Sequence, residues 1–266
     1  MLAQQRQQAI LERVRSSGGV RVADLVRELG VSDMTIRRDL EVLSERGLVE
    51  KVHGGATAAG PGSTEEPGFA AKSARQQAEK ETIAQHAARL VRPATAIALS
   101  AGTTTWTLAH HVVDVPELTV ITNSIRIADV FHRSPRADRT VVLTGGIRTP
   151  SDALVGPVAV SAIRGLHVDT LFLGVHGMST RAGFTTPNLL EAETNRELVA
   201  SAHRLVVTAD HTKWGTVGIS TIAELAEAHI VVTDSGLTEE AREELAASVG
   251  ELIITEPQRE SEIASR

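Results

Sequence analysis

Ser32-Asp33-Met34-Thr35-Ile36-Arg37-Arg38-Asp39-Leu40 is the stretch whose reading decides the fold. It follows a Gly30-Val31 turn, and Ser32 is a good N-cap because its hydroxyl can accept from a backbone N–H one turn into a helix. Ile36, Leu40 and Leu43 fall at i, i+4 and i+7, which gives a single buried stripe. Met34, Arg38 and Glu45 then point away from that stripe, with Thr35 and Arg37 on its flanks. Two adjacent arginines near the start of an exposed helical face suit base edges and phosphates in a DNA major groove. Taken alone, the helix fits an ordinary amphipathic helix with a solvated charged face better, so its neighbours must decide.

Upstream, residues 4–16 read as a helix with Ile10, Leu11 and Val14 inward, ended by Gly18-Gly19. Val20-Arg21-Val22 fits a short strand, and residues 23–29 a second helix with Leu25, Val26 and Leu29 apolar. The opening helix is expected to end at Gly47. Residues 48–52 then form a strand carrying Lys51, and His53-Gly54-Gly55 is a hairpin-prone turn. Three helices, a strand and a Gly-Gly turn describe a winged helix-turn-helix. Its wing would lay Lys51 and His53 along the phosphate backbone, fixing register without reading sequence.

Composition sets limits on the rest. With 42% hydrophobic but only 2% aromatic residues among 266, the core must be aliphatic. No apolar run approaches the ~18 residues a membrane helix needs, no signal-peptide pattern opens the chain, and zero cysteines fits a cytoplasmic protein. The net charge of −6 is unevenly spread: residues 1–57 hold nine Lys/Arg against eight Asp/Glu, the remainder eighteen against twenty-five. A DNA-binding segment so nearly neutral must concentrate its cations on one face. Only four basic residues are lysine, namely Lys51, Lys72, Lys80 and Lys213. In an arginine-biased chain, such positions suit a compact ammonium better than a planar fork, although for any single one chance is the simpler account.

Residues 58–68, rich in Pro, Gly, Ser and acid, read as a linker between a DNA-binding domain at 1–57 and a larger domain at 69–256; residues 257–266 form a polar tail. A long helix is expected over 69–92. Seven apolar strand-like runs follow, at 96–99, 118–121, 140–143, 170–173, 205–207, 230–232 and 252–254, with helical stretches between most of them. This alternation predicts an α/β domain with a mostly parallel, Rossmann-like sheet covered on both faces.

In such sheets, ligands bind beyond the carboxyl ends of the strands. The loops placed there are rich in Gly and hydroxyls. Ser100-Ala101-Gly102-Thr103-Thr104-Thr105 leads from strand to helix and suits phosphate; read alone, it serves equally well as a plain helix cap. Thr122-Asn123-Ser124, Gly145-Gly146, Gly174-Val175-His176-Gly177 and Ala209-Asp210-His211-Thr212-Lys213 share its position. Neither a Walker motif nor a dinucleotide fingerprint is present. No His/Asp/Glu grouping has metal-ligand spacing, so neither a metal nor another cofactor is expected.

Gly30-Val31-Ser32, Thr35-Ile36-Arg37-Arg38-Asp39-Leu40, Gly47-Leu48-Val49 and His53-Gly54-Gly55-Ala56 together resemble the N-terminal signature of the DeoR family of bacterial transcription regulators. The second half is similar to that family's effector domain through Glu79-Lys80, Ser100–Thr105, Thr122-Asn123-Ser124, Leu143-Thr144-Gly145-Gly146, Phe172-Leu173-Gly174, Gly183-Phe184-Thr185-Thr186, Asp210-His211-Thr212-Lys213-Trp214-Gly215 and Thr233-Asp234. The resemblance implies a fold like ribose-5-phosphate isomerase, a double-stranded DNA operator, a sugar-phosphate effector, a homo-oligomer and repression of sugar-catabolism genes. The exposed helical face and the wing put Ser32, Met34, Thr35, Arg37, Arg38, Lys51 and His53 on DNA. Ser100, Gly102, Thr103, Thr104, Thr105, Asn123, Ser124, Gly146, His176, Asp210 and Lys213 fall to the effector, with Lys72, Lys80 and Glu191 as response candidates. Two other readings stay open. One is an active sugar-phosphate isomerase tethered to DNA, although Leu173-Gly174-Val175-His176-Gly177 lacks the isomerase's acidic run. The other is a DNA-binding oligomer without an effector.

Overall fold

The structure, a computed structural model, describes residues 3–17, 19–45, 48–52, 54–58 and 68–256. The chain divides into two compact units, Met1–Gly62 and Ser63–Arg266.

The first unit contains α1 (Ala3–Ser17), β1 (Gly19–Arg21), α2 (Val22–Leu29), α3 (Asp33–Glu45), β2 (Val49–Val52) and β3 (Gly55–Ala58). Gly30, at φ 63°, takes the left-handed conformation that ends α2, and its N–H closes on Val26 O at 3.0 Å. The chain then turns into α3, where Ser32 Oγ accepts from Thr35 N at 3.3 Å. Ile36, Leu40 and Leu43 are buried with Ile10, Leu11, Val14 and Leu25 in one cluster. The strands form a three-stranded antiparallel sheet ordered β1-β3-β2, so β3 is part of the wing, and its last residue, Ala58, lies where the linker was expected to begin. Val22, expected in a strand, opens α2 with its side chain in the core. The expected helix end at Gly47 and the wing residue His53 lie outside the described residues.

The second unit begins with α4 (Phe69–Ser73) and α5 (Gln77–Ala88), where one long helix was expected. The break has a physical cause: Gln76 is left-handed at φ 51°, and the Lys80 ammonium folds back to donate to Lys72 O and Arg75 O. There follow β4 (Ala96–Leu99), α6 (Thr103–Val112), β5 (Thr119–Thr122), α7 (Ile125–Arg133), β6 (Thr140–Leu143), β7 (Ile147–Arg148), β8 (Leu154–Val155), α8 (Pro157–Ile163) and β9 (Val168–Gly174). The chain continues through β10 (Gly177–Ser179), β11 (Gly183–Thr186), α9 (Leu189–Ser201), β12 (Ala202–Thr208), β13 (Ser220–Ala223), β14 (Ile230–Asp234), α10 (Glu239–Ser248) and β15 (Leu252–Thr255).

All seven apolar runs pair in one parallel sheet, ordered β15-β14-β12-β9-β4-β5-β6. One face is covered by Ile83 and Ala87 of α5, Leu108 and Val112 of α6, and Ile127 and Phe131 of α7. The other carries Ile163 of α8, Leu198 of α9 and Leu245 of α10, together with Met178, Phe184 and Ile222 from a small antiparallel sheet ordered β10-β11-β13. From β4 the strand order runs through β5 and β6 to one edge, while β9 and its successors run to the other. The order therefore reverses between β4 and β9, and such switch points open a crevice beyond the strand ends.

Candidate functional site

In the first unit, α3 presents its exposed face as follows. Met34 is 75% exposed, and Arg37 is held along the helix by Asp33, Nε to Oδ1 at 2.5 Å. That carboxylate raises the Arg37 guanidinium above its ordinary pKa through the hydrogen bond and its charge. Arg38 is exposed and makes no ion pair among the described residues. Ser32 and Thr35 share a hydroxyl–hydroxyl hydrogen bond of 2.8 Å at the helix start. Lys51 on β2 meets Glu41 at 3.3 Å, a solvated pair that opens at little cost. Beneath this face, buried Asp39 accepts from Arg6 Nε at 2.5 Å and Gln7 Nε2 at 3.0 Å, which fastens α3 to α1. The sequence reading missed this clamp, although an acid inside the buried stripe of an amphipathic helix is its visible signal.

In the second unit, a cleft opens where β4, β9 and β12 end. Ala101, Gly102, Thr103 and Thr104 line it from the start of α6, and Gly174, Val175 and His176 from the end of β9. Thr208 at the end of β12 and Lys213 beyond it line the cleft; Thr186, Pro187, Glu191 and Asn195 line it from β11 and α9; and Lys72 and Ser151 close the rim. The α6 N-terminus faces this space without a side-chain cap, because Gly102 stands at the N-cap. Among its neighbours α7, α9 and α10 are capped, by Ser124, Asn188 and Thr238, while α8 also starts at a glycine, Gly156, without a side-chain cap. The α6 N-terminus and its dipole therefore face the same cleft as the ammonium groups of Lys72 and Lys213, an arrangement chemically able to hold an anion, with the Glu191 carboxylate on the α9 side.

Of the effector residues read from sequence, Gly102, Thr103, Thr104, His176 and Lys213 line the cleft, as do the response candidates Lys72 and Glu191. The others form its frame, and their polar atoms are engaged by the protein. Ser100 Oγ accepts from Gly174 N at 2.9 Å, which ties β4 to β9. Thr105 Oγ1 donates to Ser100 O at 2.7 Å. Asn123 Oδ1 accepts from Ala101 N at 2.8 Å, and its Nδ2 donates to Leu154 O, so it shapes the loop from behind. Ser124 accepts from Ile127 N, and Asp210 Oδ1 from Thr212 N at 3.1 Å, setting the turn that carries Lys213. Gly146 starts the β7–β8 hairpin at φ 118°, where a Cβ would stand 2.5 Å from Val155 O; its glycine serves that turn, not the cleft. Lys80 lies beneath the rim, 5% exposed. Burial pushes its ammonium down to about 8, with Lys213 and Lys72 pushing the same way against Asp210 and Glu79.

Ser151, Thr186, Asn195 and Thr208 were not among the residues selected from sequence. Thr208 is the last residue of β12, so the strand-end rule points to it. Asn195 lies one turn beyond Glu191 on α9 and thus on the same face. Ser151 receives Lys72 Nζ at 2.7 Å, a contact 79 residues apart in sequence that carries no local signal. Glu191 accepts from Thr149 Oγ1 at 2.8 Å and from Thr186 Oγ1 at 3.1 Å, so both of its carboxylate oxygens take part in holding the cleft wall.

A family model for the DeoR-like helix-turn-helix domain matches residues 6–61, and one for the DeoR C terminal sensor domain matches residues 75–235. The uncharacterized HTH-type transcriptional regulator YgbI of Escherichia coli K12 is 36% identical, with 91% of this chain and 93% of that one covered. The HTH-type transcriptional regulator GlpR of Haloferax volcanii is 35% identical, with 93% and 96% covered. The glycerol-3-phosphate regulon repressor of Escherichia coli K12 is 28% identical, with 87% and 90% covered. Among solved structures, ribose 5-phosphate isomerase A of Methanocaldococcus jannaschii matches at a TM-score of 0.38 and 14% identity, over 52% of this chain and 54% of the isomerase. With both of its units matched, the chain belongs to the DeoR family of transcriptional regulators.

Proposed function

We propose that this DeoR-family regulator represses sugar-catabolism genes in the cytoplasm and that a phosphorylated sugar bound in the cleft of the second unit releases it from its operator. The observation that carries the effector half is the uncapped α6 N-terminus facing Lys72 and Lys213 at the sheet's switch point. Backbone N–H groups and two ammonium groups match a phosphate dianion, and the hydroxyl- and amide-rich remainder matches a sugar. The names of the relatives support the regulatory half, since one of them represses a glycerol-3-phosphate regulon.

In this reading Ser32, Met34, Thr35, Arg37 and Arg38 meet the major groove and Lys51 the phosphate backbone. Because residues 1–57 are almost neutral, one copy holds DNA weakly, and paired copies in a homo-oligomer supply affinity and half-site spacing. Release requires the sugar phosphate to bind the non-operator conformation more tightly, because equal affinity for both states shifts nothing. The absence of the isomerase's acidic run from Leu173-Gly174-Val175-His176-Gly177 supports binding without turnover, since that chemistry needs a carboxylate base at the substrate carbon.

The test measures operator binding by the full chain while pentose and hexose phosphates are titrated in. At least one should release DNA from the wild type, and Lys213→Ala should bind operator normally while needing at least about tenfold more effector. Failure of every sugar phosphate to change either operator binding or the melting temperature would leave the regulator without this effector class.

A further inference from the structure

Two polar side chains in the cleft differ from all those that frame it. Asn195 is 6% exposed and Thr208 1% exposed, and both line the cleft. Neither Asn195 Oδ1 nor Thr208 Oγ1 has a hydrogen-bond partner in the protein. Buried oxygens in this state carry a desolvation cost that folding alone does not recover. Their neighbours are fully engaged: Ser100, Thr105, Asn123, Glu191 and Asp210 each have a protein partner for a side-chain oxygen.

Their place in the sheet is as telling as their lack of partners. The α6 N-terminus follows β4, whereas Thr208 ends β12 in register with Gly174 of β9. Two strand spacings, roughly 10 Å, therefore separate the anion-binding end from Thr208. Asn195 approaches from α9, which packs over β9 and β12. Oδ1 of an asparagine only accepts, and a threonine hydroxyl both donates and accepts. A phosphate dianion can accept from the Thr208 hydroxyl but has no proton to give Asn195 Oδ1. Sugar hydroxyls do.

From this, and resting on the proposed sugar-phosphate effector, we infer that Asn195 and Thr208 are the specificity-determining residues that read the effector's hydroxyls at the end remote from its phosphate. The ligand class is a phosphorylated five- or six-carbon polyhydroxy compound, long enough to reach across β9 and to donate to Asn195 Oδ1. Discrimination follows from the cost of leaving buried polar groups unpaired: a ligand lacking those hydroxyls enters but leaves both oxygens unmatched.

The experiment titrates the full chain with a panel of pentose and hexose phosphates and with inorganic phosphate as the hydroxyl-free probe. Tryptophan fluorescence, to which Trp214 next to Lys213 and Trp106 on α6 both contribute, is one readout and thermal melting the other. Wild type should bind its best sugar phosphate at least tenfold more tightly than inorganic phosphate. Asn195→Ala and Thr208→Val should each lose most of that preference while inorganic phosphate binds as before. Thr208→Val should also melt no lower than wild type without ligand, because it removes an unpaired hydroxyl and keeps the shape. A sugar phosphate that binds both variants as tightly as wild type would overturn the inference and leave the effector reading intact, as would a lower melting temperature of unliganded Thr208→Val for the role of that hydroxyl. Binding of no sugar phosphate by wild type would overturn the effector reading and the inference with it.

Discussion

The α3 face and the strand-end cleft treat buried polar groups in opposite ways. Under α3, Asp39 is 4% exposed and accepts from both Arg6 and Gln7. In the cleft, Asn195 and Thr208 are as deeply buried, and their oxygens meet no protein donor. A helix that reads a polymer from its outer surface needs a scaffold complete in itself, since DNA never reaches what lies beneath. A cleft that encloses a small guest can leave part of its hydrogen bonding to the guest, at the expense of the empty state.

The sharpest way to break this comparison is Asp39→Ala. It strips the buried Arg6 guanidinium of its carboxylate, and breaking such a pair from one side typically costs about 3 kcal/mol or more. Both tryptophans, Trp106 and Trp214, lie in the second unit, so their fluorescence reports that unit alone. Circular dichroism of the full chain should show an early helical transition in Asp39→Ala, with the fluorescence transition unmoved. A loss of less than about 0.5 kcal/mol would mean that the pair adds no more than a surface ion pair does.

How far the sequence discloses each region follows from where its information lies. Strands β4, β5, β9, β12 and β14 of the large sheet are buried along most of their length and so read as apolar runs, whereas the edge strand β6 is largely exposed and betrays itself by its Val-Val-Leu run alone. Strands β10, β11 and β13 are three or four residues long and interrupted by Gly and Thr, too short for a period to register. Residues 74–76 have nothing to forbid a helix; the break depends on Lys80 reaching carbonyls in the preceding turn. Loops at strand ends betray themselves by Gly and hydroxyl content, which is why Gly102, Thr103, Thr104 and Lys213 stand out. Composition does not say whether a hydroxyl faces into the cleft or back into the frame. Ser100, Thr105 and Asn123 look like ligand residues in the sequence and are tied to backbone in the fold, whereas Asn195 looks like a helix surface residue and lines the cleft.

On the outer face, the comparison sharpens between two adjacent arginines. Arg37 is committed to Asp33 and must give up that pair to reach DNA, while Arg38 is exposed and makes no ion pair among the described residues. Arg38→Ala should weaken operator binding by about 1–3 kcal/mol and relax preference at one base position. Arg37→Ala should cost less, because it also releases the Arg37–Asp33 pair that competes with DNA. Gel-shift titrations against operator variants separate the two. If Arg37→Ala were the more damaging, Arg37 would be the reading residue and the Asp33 pair would serve to position it.

The smallest effect concerns Lys80, the charge beneath the cleft. Its ordinary value is 10.5, and burial, helped by Lys213 and Lys72, brings it to about 8. Between these values the folded chain binds fewer protons at Lys80 than the unfolded chain, so this group makes stability rise with pH across the window. Binding has the opposite sign. A phosphate in the cleft favours the protonated ammonium and raises its pKa, so effector affinity should fall as pH climbs through about 8. A phosphate monoester is already a dianion above about pH 7, its second pKa being about 6, so its own titration does not mimic the effect. The expected decline between pH 7.5 and 9 is a few-fold, because the charge is shared with Lys72 and Lys213 and acts from behind the rim. Lys80→Met should flatten the pH profile whatever it does to affinity at pH 7.5, and the slope is therefore the diagnostic quantity. An unchanged slope in Lys80→Met would assign the proton to another group and leave Lys80 as the brace of the α4–α5 turn alone.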